Sequence, residues 1–170
     1  MREAAVIAFF LLGLFQAPLH GAETEVFFSP EGGIKEIILK EIEAATSTID
    51  LAILEITSPD MARALLNAKQ RGVKVRIIAD SRHANSKSSQ ITYLIRGGVP
   101  VKVLGGAKKG VVNHRFVIFD GTRVITGSYG WSEASEKWNY ENILVLKESE
   151  AVASYQKEIE RLWREKRVIK

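Results

Sequence analysis

The feature that most constrains the fold of this chain is Asp120-Gly121, set between two apolar runs. A two-residue Asp-Gly link favours positive φ at both positions and closes a β-hairpin whose turn matches the twist of its strands. Residues 116–119 are an apolar run of strand length, and Arg123 begins the return. The return ends in Thr126-Gly127-Ser128-Tyr129-Gly130-Trp131, and Asn139-Tyr140-Glu141-Asn142 then leads into another apolar run over residues 143–146. The hairpin leaves Val111-Val112-Asn113-His114-Arg115 as the entrance to its first strand. Side chains alternate along a strand, so Asn113 and Arg115 are expected on one face and His114 on the other, unless the loop from Gly110 shifts the register by one residue.

Upstream of the hairpin, strand and helix patterns alternate. Residues 25–28 predict a short strand, stopped by Ser29-Pro30 and Gly32-Gly33. Ile34, Ile37, Ile38, Ile42 and Ala45 recur at helical spacing, predicting a helix over about residues 34–45. Residues 48–53 predict a strand with Ile49, Leu51 and Ile53 on one face. Ser58 followed by Pro59 predicts a capped helix start, with Met61, Ala64, Leu65 and Ala68 as its apolar stripe and Gly72 beyond its end. A strand over residues 73–79 closes at Asp80, and the polar stretch 81–89 carries Arg82, His83 and Lys87. A helix over about residues 88–96, a strand over 99–104 and a glycine-rich basic loop over 105–110 follow. Beyond Leu146, Val152, Tyr155, Ile159 and Leu162 predict a long terminal helix over about residues 150–166. The pattern predicts an α/β fold, an αβα sandwich around a mixed, mostly parallel sheet, as one domain over residues 23–170.

Residues 4–15 form an apolar run of twelve after Arg2, followed by Pro18 and then Gly21-Ala22. A bilayer span needs roughly 20 such residues, so the run fits the core of a secretory leader over residues 1–22. Glu3 and His20 depart from that pattern, and an uncleaved interfacial anchor is the alternative. A periplasmic or secreted location is therefore expected, with membrane contact only if the leader is kept. The chain has no cysteine, which excludes disulfides and thiolate metal sites. Its net charge of +4 suits a polyanionic partner without selecting one.

The order of these pieces resembles the phospholipase D superfamily, in particular its single-motif bacterial nuclease branch. The signature of that superfamily is a His, one residue, a Lys, four residues and an Asp, then Gly-Ser-x-Asn, then a Glu about a dozen residues on. With Asp120 as anchor, the Lys position holds Arg115 and the His position holds Asn113. Ser128 and Glu141 match, Gly130 stands at the Asn position, and the likeness runs over about residues 26–163.

The resemblance implies a site built from Asn113, Arg115, Asp120, Ser128 and Glu141, with neither metal nor cofactor. In the family the motif His attacks phosphorus and a second His protonates the leaving oxygen. Asn113 can do neither, because its amide nitrogen has no available lone pair, but it can hydrogen-bond a phosphate oxygen. His114 is the alternative nucleophile if the register shifts. Arg115 keeps the positive charge and offers a planar fork to phosphate. Glu141, with no His at position 113 to orient, is expected to pair with Arg115. Asp120 is explained equally well as a turn residue, and His83 as a surface residue. Lys108, Lys109 and Arg115 are the candidate nucleic-acid contacts, and Trp131 and Trp138 are either base-stacking platforms or core. One motif copy implies a homodimer that joins two half-sites around a phosphodiester of DNA, RNA or phospholipid. Two functions follow: a metal-independent phosphodiesterase, or a phosphodiester-binding relative without catalysis.

Overall fold

A computed structural model describes residues 24–108 and 110–166, so the leader expected over residues 1–22 and Lys109 lie outside the described residues. The elements are β1 (Glu25–Phe28), α1 (Ile34–Ala44), β2 (Thr48–Ile53), α2 (Pro59–Gln70), β3 (Lys74–Asp80), α3 (Ile91–Arg96), β4 (Val101–Leu104), β5 (Arg115–Phe119), β6 (Arg123–Gly127), α4 (Glu133–Lys137), β7 (Asn142–Leu146) and α5 (Ser149–Arg164). The seven strands form one sheet in the order β1-β7-β6-β5-β2-β3-β4.

Its mixed character is as expected, but the balance is not. Two pairings, β2 with β3 and β3 with β4, are parallel, and the other four are antiparallel. A parallel pair needs a crossover, and among the described residues α2 and α3 supply the two that join β2, β3 and β4. The second half is built from the β5–β6 hairpin and a return through β7, with β1 brought back to β7 across the far edge.

Apolar side chains alternate between two cores. Val117 and Phe119 join the core under α1, α2 and α3, whereas Phe116 and Ile118 join the one under α5 with Val152, Ile159 and Leu162. Helix α2 begins as its sequence predicts, with Ser58 Oγ accepting from Met61 N and Pro59 in the first turn. Helix α3 begins at Ile91, later than its polar approach suggests, where Ser89 Oγ accepts from Ile91 N at 3.2 Å. Helix α4 has no counterpart in the sequence reading: five residues offer no periodic stripe, and Ser132 starts it by accepting from Ser135 N.

The hairpin turn has φ of 50° at Asp120 and 65° at Gly121, as a two-residue Asp-Gly link requires. Beyond shaping the turn, the Asp120 carboxylate latches the start of β2. It accepts from Thr46 N at 2.9 Å, Ser47 N at 2.8 Å and Thr48 N at 2.9 Å, and from the hydroxyls of Thr46 and Ser47. Burial pushes this carboxyl up, but the backbone N–H groups of Thr46, Thr48 and Ser47 outweigh it and hold it well below the usual carboxylate range. A depressed folded-state pKa gives stability that is complete above the unfolded value near 3.9 and is lost as pH falls below it. Asp120→Ala is expected to lower unfolding free energy by about 1–3 kcal/mol at neutral pH. In denaturant titrations the gap between wild type and variant should shrink as pH falls below about 4.

Candidate functional site

Strand pairing gathers the candidate residues at one end of the sheet. Arg115 opens β5 opposite Ile53, Gly127 closes β6 opposite Ile143, and Glu141 directly precedes β7. Gly127 has to be glycine here, because a Cβ would lie 2.1 Å from Asn142 O. That close approach brings Ser128 against Asn142, whose N–H donates to Ser128 Oγ at 3.1 Å. Ser128 is exposed, and its own hydroxyl proton stays available to a ligand. Asp120 sits at the opposite end of β5, five residues beyond Arg115 or about 16 Å at strand rise. It belongs to the latch on β2 and is not brought together with the others.

Asn113 is placed by a carboxylate that the sequence presents only as a strand end. Asp80, completely buried, accepts from Val112 N at 2.8 Å and Arg82 N at 2.9 Å and lies 2.8 Å from His83 Nδ1. Burial pushes the Asp80 carboxyl up, but the His83 imidazole and the N–H groups of Val112 and Arg82 hold it below its ordinary value. His83 is therefore more than a surface residue, since one ring nitrogen is committed to Asp80. On the other side of Asn113, Leu54 N donates to His114 O at 3.0 Å and fixes the strand entrance.

With its neighbours fixed, Asn113 is exposed and its Oδ1 accepts from Arg115 Nη1 at 3.0 Å. The two share a face, as alternation predicts. His114 points the other way: its Nε2 is 3.4 Å from Glu158 Oε1 of α5, and its ring meets Phe116 edge-on at 5.3 Å. The register has not shifted, and the candidate alternative nucleophile is not beside Arg115.

Glu141 is engaged differently from the expected pairing with Arg115. Its Oε2 accepts from Gly130 N at 2.9 Å and its Oε1 from Asn139 Nδ2 at 2.8 Å. The turn's own donors reach the carboxylate first, and Arg115 turns to the Asn113 amide. Ser29, read from sequence only as a strand stop, is the support behind Glu141. It is buried, accepts from Glu141 N at 3.2 Å and donates to Asn139 O at 2.9 Å. Lys108 is exposed with φ of 57° in the loop before Val111. Trp131 is core, 3% exposed, whereas Trp138 is 74% exposed. Among the described residues no group of three or more His, Cys, Asp or Glu could hold a metal ion, and no helix is long and apolar enough to cross a membrane.

A half-buried guanidinium, an exposed hydroxyl and a carboxylate-braced turn at one sheet end carry the superfamily frame, and comparison with known proteins agrees. Residues 38–163 match the family described as cardiolipin synthase, PLD-like domain. The chain belongs to the phospholipase D superfamily. It is 38% identical to the mitochondrial cardiolipin hydrolase of Xenopus laevis over 75% of this chain and 60% of that one. It is 30% identical to a phospholipase D of Rickettsia conorii over 81% of this chain and 68% of that one. Among solved structures it is similar to the phospholipase D family member Nuc of Salmonella typhimurium, with a TM-score of 0.77, 28% identity, and 84% and 95% of the two chains covered. NucT of Helicobacter pylori gives 0.76 and 28%, with 83% and 95% covered. The chain thus spans little more than half the length of the cardiolipin hydrolases it matches. Within the superfamily frame, the departures at Asn113 and Gly130 fall inside an otherwise intact architecture.

The Asp80 bracket is open to direct test. Asp80→Ala leaves two backbone N–H groups and an imidazole without their acceptor, and should lower stability by about 2–4 kcal/mol. Amide exchange at Val112 should accelerate more than exchange in β6, because the bracket releases the loop before the sheet opens.

Proposed function

We propose that this protein binds phosphodiesters as a two-fold dimer and has lost the hydrolytic step that the phospholipase D frame was built for. The observation that carries the reading is the carboxamide of Asn113 in the nucleophile's place, hydrogen-bonded to Arg115 at 3.0 Å. A carboxamide cannot accept a phosphoryl group or shuttle a proton at neutral pH. The two imidazoles among the described residues are placed elsewhere, His83 against Asp80 and His114 against Glu158. Binding groups remain: the Arg115 fork suits a phosphoryl oxygen pair, and Ser128 keeps a hydroxyl proton for a third.

The dimer reading rests on the single motif copy and on the openness of the half-site. Asn113 and Ser128 are exposed at the sheet end, so a second copy facing them would close a site around one phosphodiester. The names of the relatives point to phospholipid phosphodiesters, and the nuclease-branch likeness to those of DNA or RNA. An exported location, periplasmic or secreted, rests on the apolar run in residues 4–15.

Hydrolysis of bis(p-nitrophenyl) phosphate in the presence of chelator tests the loss of catalysis. Wild type should give no turnover and no phosphoenzyme, while Asn113→His should gain measurable turnover because Glu141 is still fixed to orient an imidazole. Chelator-resistant turnover by wild type that His114→Ala abolishes would sink the reading. For assembly, sedimentation velocity at tens of micromolar, roughly the range of a weak dimer, should give a dimer that loosens when Arg115 and Asn113 are replaced by bulky Trp. A monomer across that range would count against the shared site.

A further inference from the structure

Gly130 stands at the Asn position of the superfamily signature, and polar atoms of three residues close on its face. A Cβ built on Gly130 would lie 2.9 Å from Ser135 Oγ, 3.9 Å from Arg115 Nε and 4.0 Å from Ser132 Oγ. Two hydroxyls and the guanidinium assigned to the phosphodiester therefore converge on the face of this one residue, with Ser135 Oγ too close for any side chain. The backbone N–H of Gly130 is already committed to Glu141 Oε2, so it is not the donor on this face.

Hydrogen-bond arithmetic determines what the hydroxyl pair presents. Ser132 Oγ and Ser135 Oγ are 2.9 Å apart, and Ser132 Oγ also accepts from Ser135 N at 3.1 Å. Ser135 is 3% exposed, and among the described residues the partner of its hydroxyl is Ser132. A buried hydroxyl donates where an acceptor is in reach, so the Ser135 proton goes to Ser132 Oγ. Ser132 then has both lone pairs filled, one by the Ser135 N–H and one by the Ser135 O–H, and it keeps its own proton. A hydroxyl in that state can only donate, and the bond it receives polarises the one it gives. Ser132 is only partly buried, so the outward end of this relay is the accessible one.

We infer that Ser132 is a phosphoryl-oxygen donor beside Arg115, oriented by Ser135, and that the hydroxyl relay supplies over Gly130 the contact that an amide side chain would otherwise make. Ser132 touches the ligand; Ser135 is a positioning residue. The inference rests on the phosphodiester-binding reading above and adds to it a specific pair of residues. It also gives Gly130 a requirement: any side chain there meets Ser135 Oγ at 2.9 Å and breaks the relay.

The test is the affinity of the full chain for a short single-stranded oligothymidylate at low salt, measured by fluorescence anisotropy. Ser132→Ala should weaken binding by about tenfold, whereas Ser132→Thr, which keeps both the helix cap and the hydroxyl, should retain it. Gly130→Ala should weaken binding about as much as Ser132→Ala. Adding Ser135→Ala to Gly130→Ala removes the clash and should recover thermal stability without recovering affinity, a split that a purely packing role would not give. If Ser132→Ala binds like wild type while Arg115→Ala binds at least tenfold more weakly, the relay is wrong and the phosphodiester reading stands. If wild type fails to bind the oligonucleotide and also fails to bind cardiolipin vesicles, both fall together.

Discussion

A carboxylate without access to water holds the functional end of this protein in place. Asp80 closes β3 at full burial, and an unpaired charge there would be strongly destabilising, so its partners cannot leave it. One of them is the N–H of Val112, 32 residues further along the chain. That bond pulls the loop leaving β4 across the sheet end and sets Asn113 and Arg115 at the mouth of β5. At the other end of the same strand Asp120 gathers three successive N–H groups from the start of β2. The central strand is thus held between two carboxylates, one placing the end that carries Asn113 and Arg115 and one closing the frame behind it, while residues 116–119 fill both cores between them.

Much of this was readable from local pattern, and the failures have a common origin. The hairpin, the faces of Asn113 and His114, and the alternation of the first half follow from periods and turn chemistry that act within a few residues. Strand direction does not: β1 pairs antiparallel with β7 across more than a hundred residues, and nothing in Glu25–Phe28 announces it. Carboxylate partners are equally non-local. Asp120 looked like a turn residue because its latch lies 72–74 residues away, and Asp80 looked like a strand end because its tie comes from Val112. Charge complementarity suggested Arg115 for Glu141, yet the donors of its own turn were nearer. Helix α4 left no stripe to find, since its buried member is a serine.

The frame around the candidate site is held by bonds that do not involve position 113. Glu141 braces Gly130 and Asn139, and Ser29 braces Glu141, whether or not an imidazole stands at position 113. Tyr129, fully buried, donates to Glu136, which also accepts from Lys35 N at the start of α1. These bonds tie the β6–β7 connection to the first helix. These bonds serve stability whatever stands at position 113, whereas the side chains of Asn113 and Ser128 are exposed and each has, among the described residues, a single protein partner, Arg115 and the Asn142 N–H.

The bond between Arg115 and Asn113 has a kinetic corollary. A guanidinium that rests on a carboxylate must dissolve an ion pair before it can greet an incoming anion, and that step gates entry. Here the resting acceptor is a neutral amide oxygen. On the phosphodiester-binding reading proposed above, a phosphoryl group reaching Arg115 would replace an uncharged acceptor with a charged one, a stronger hydrogen bond. On that reading, capture would be set by diffusion and the long-range field, and ionic strength would act on the rate of arrival before the rate of escape.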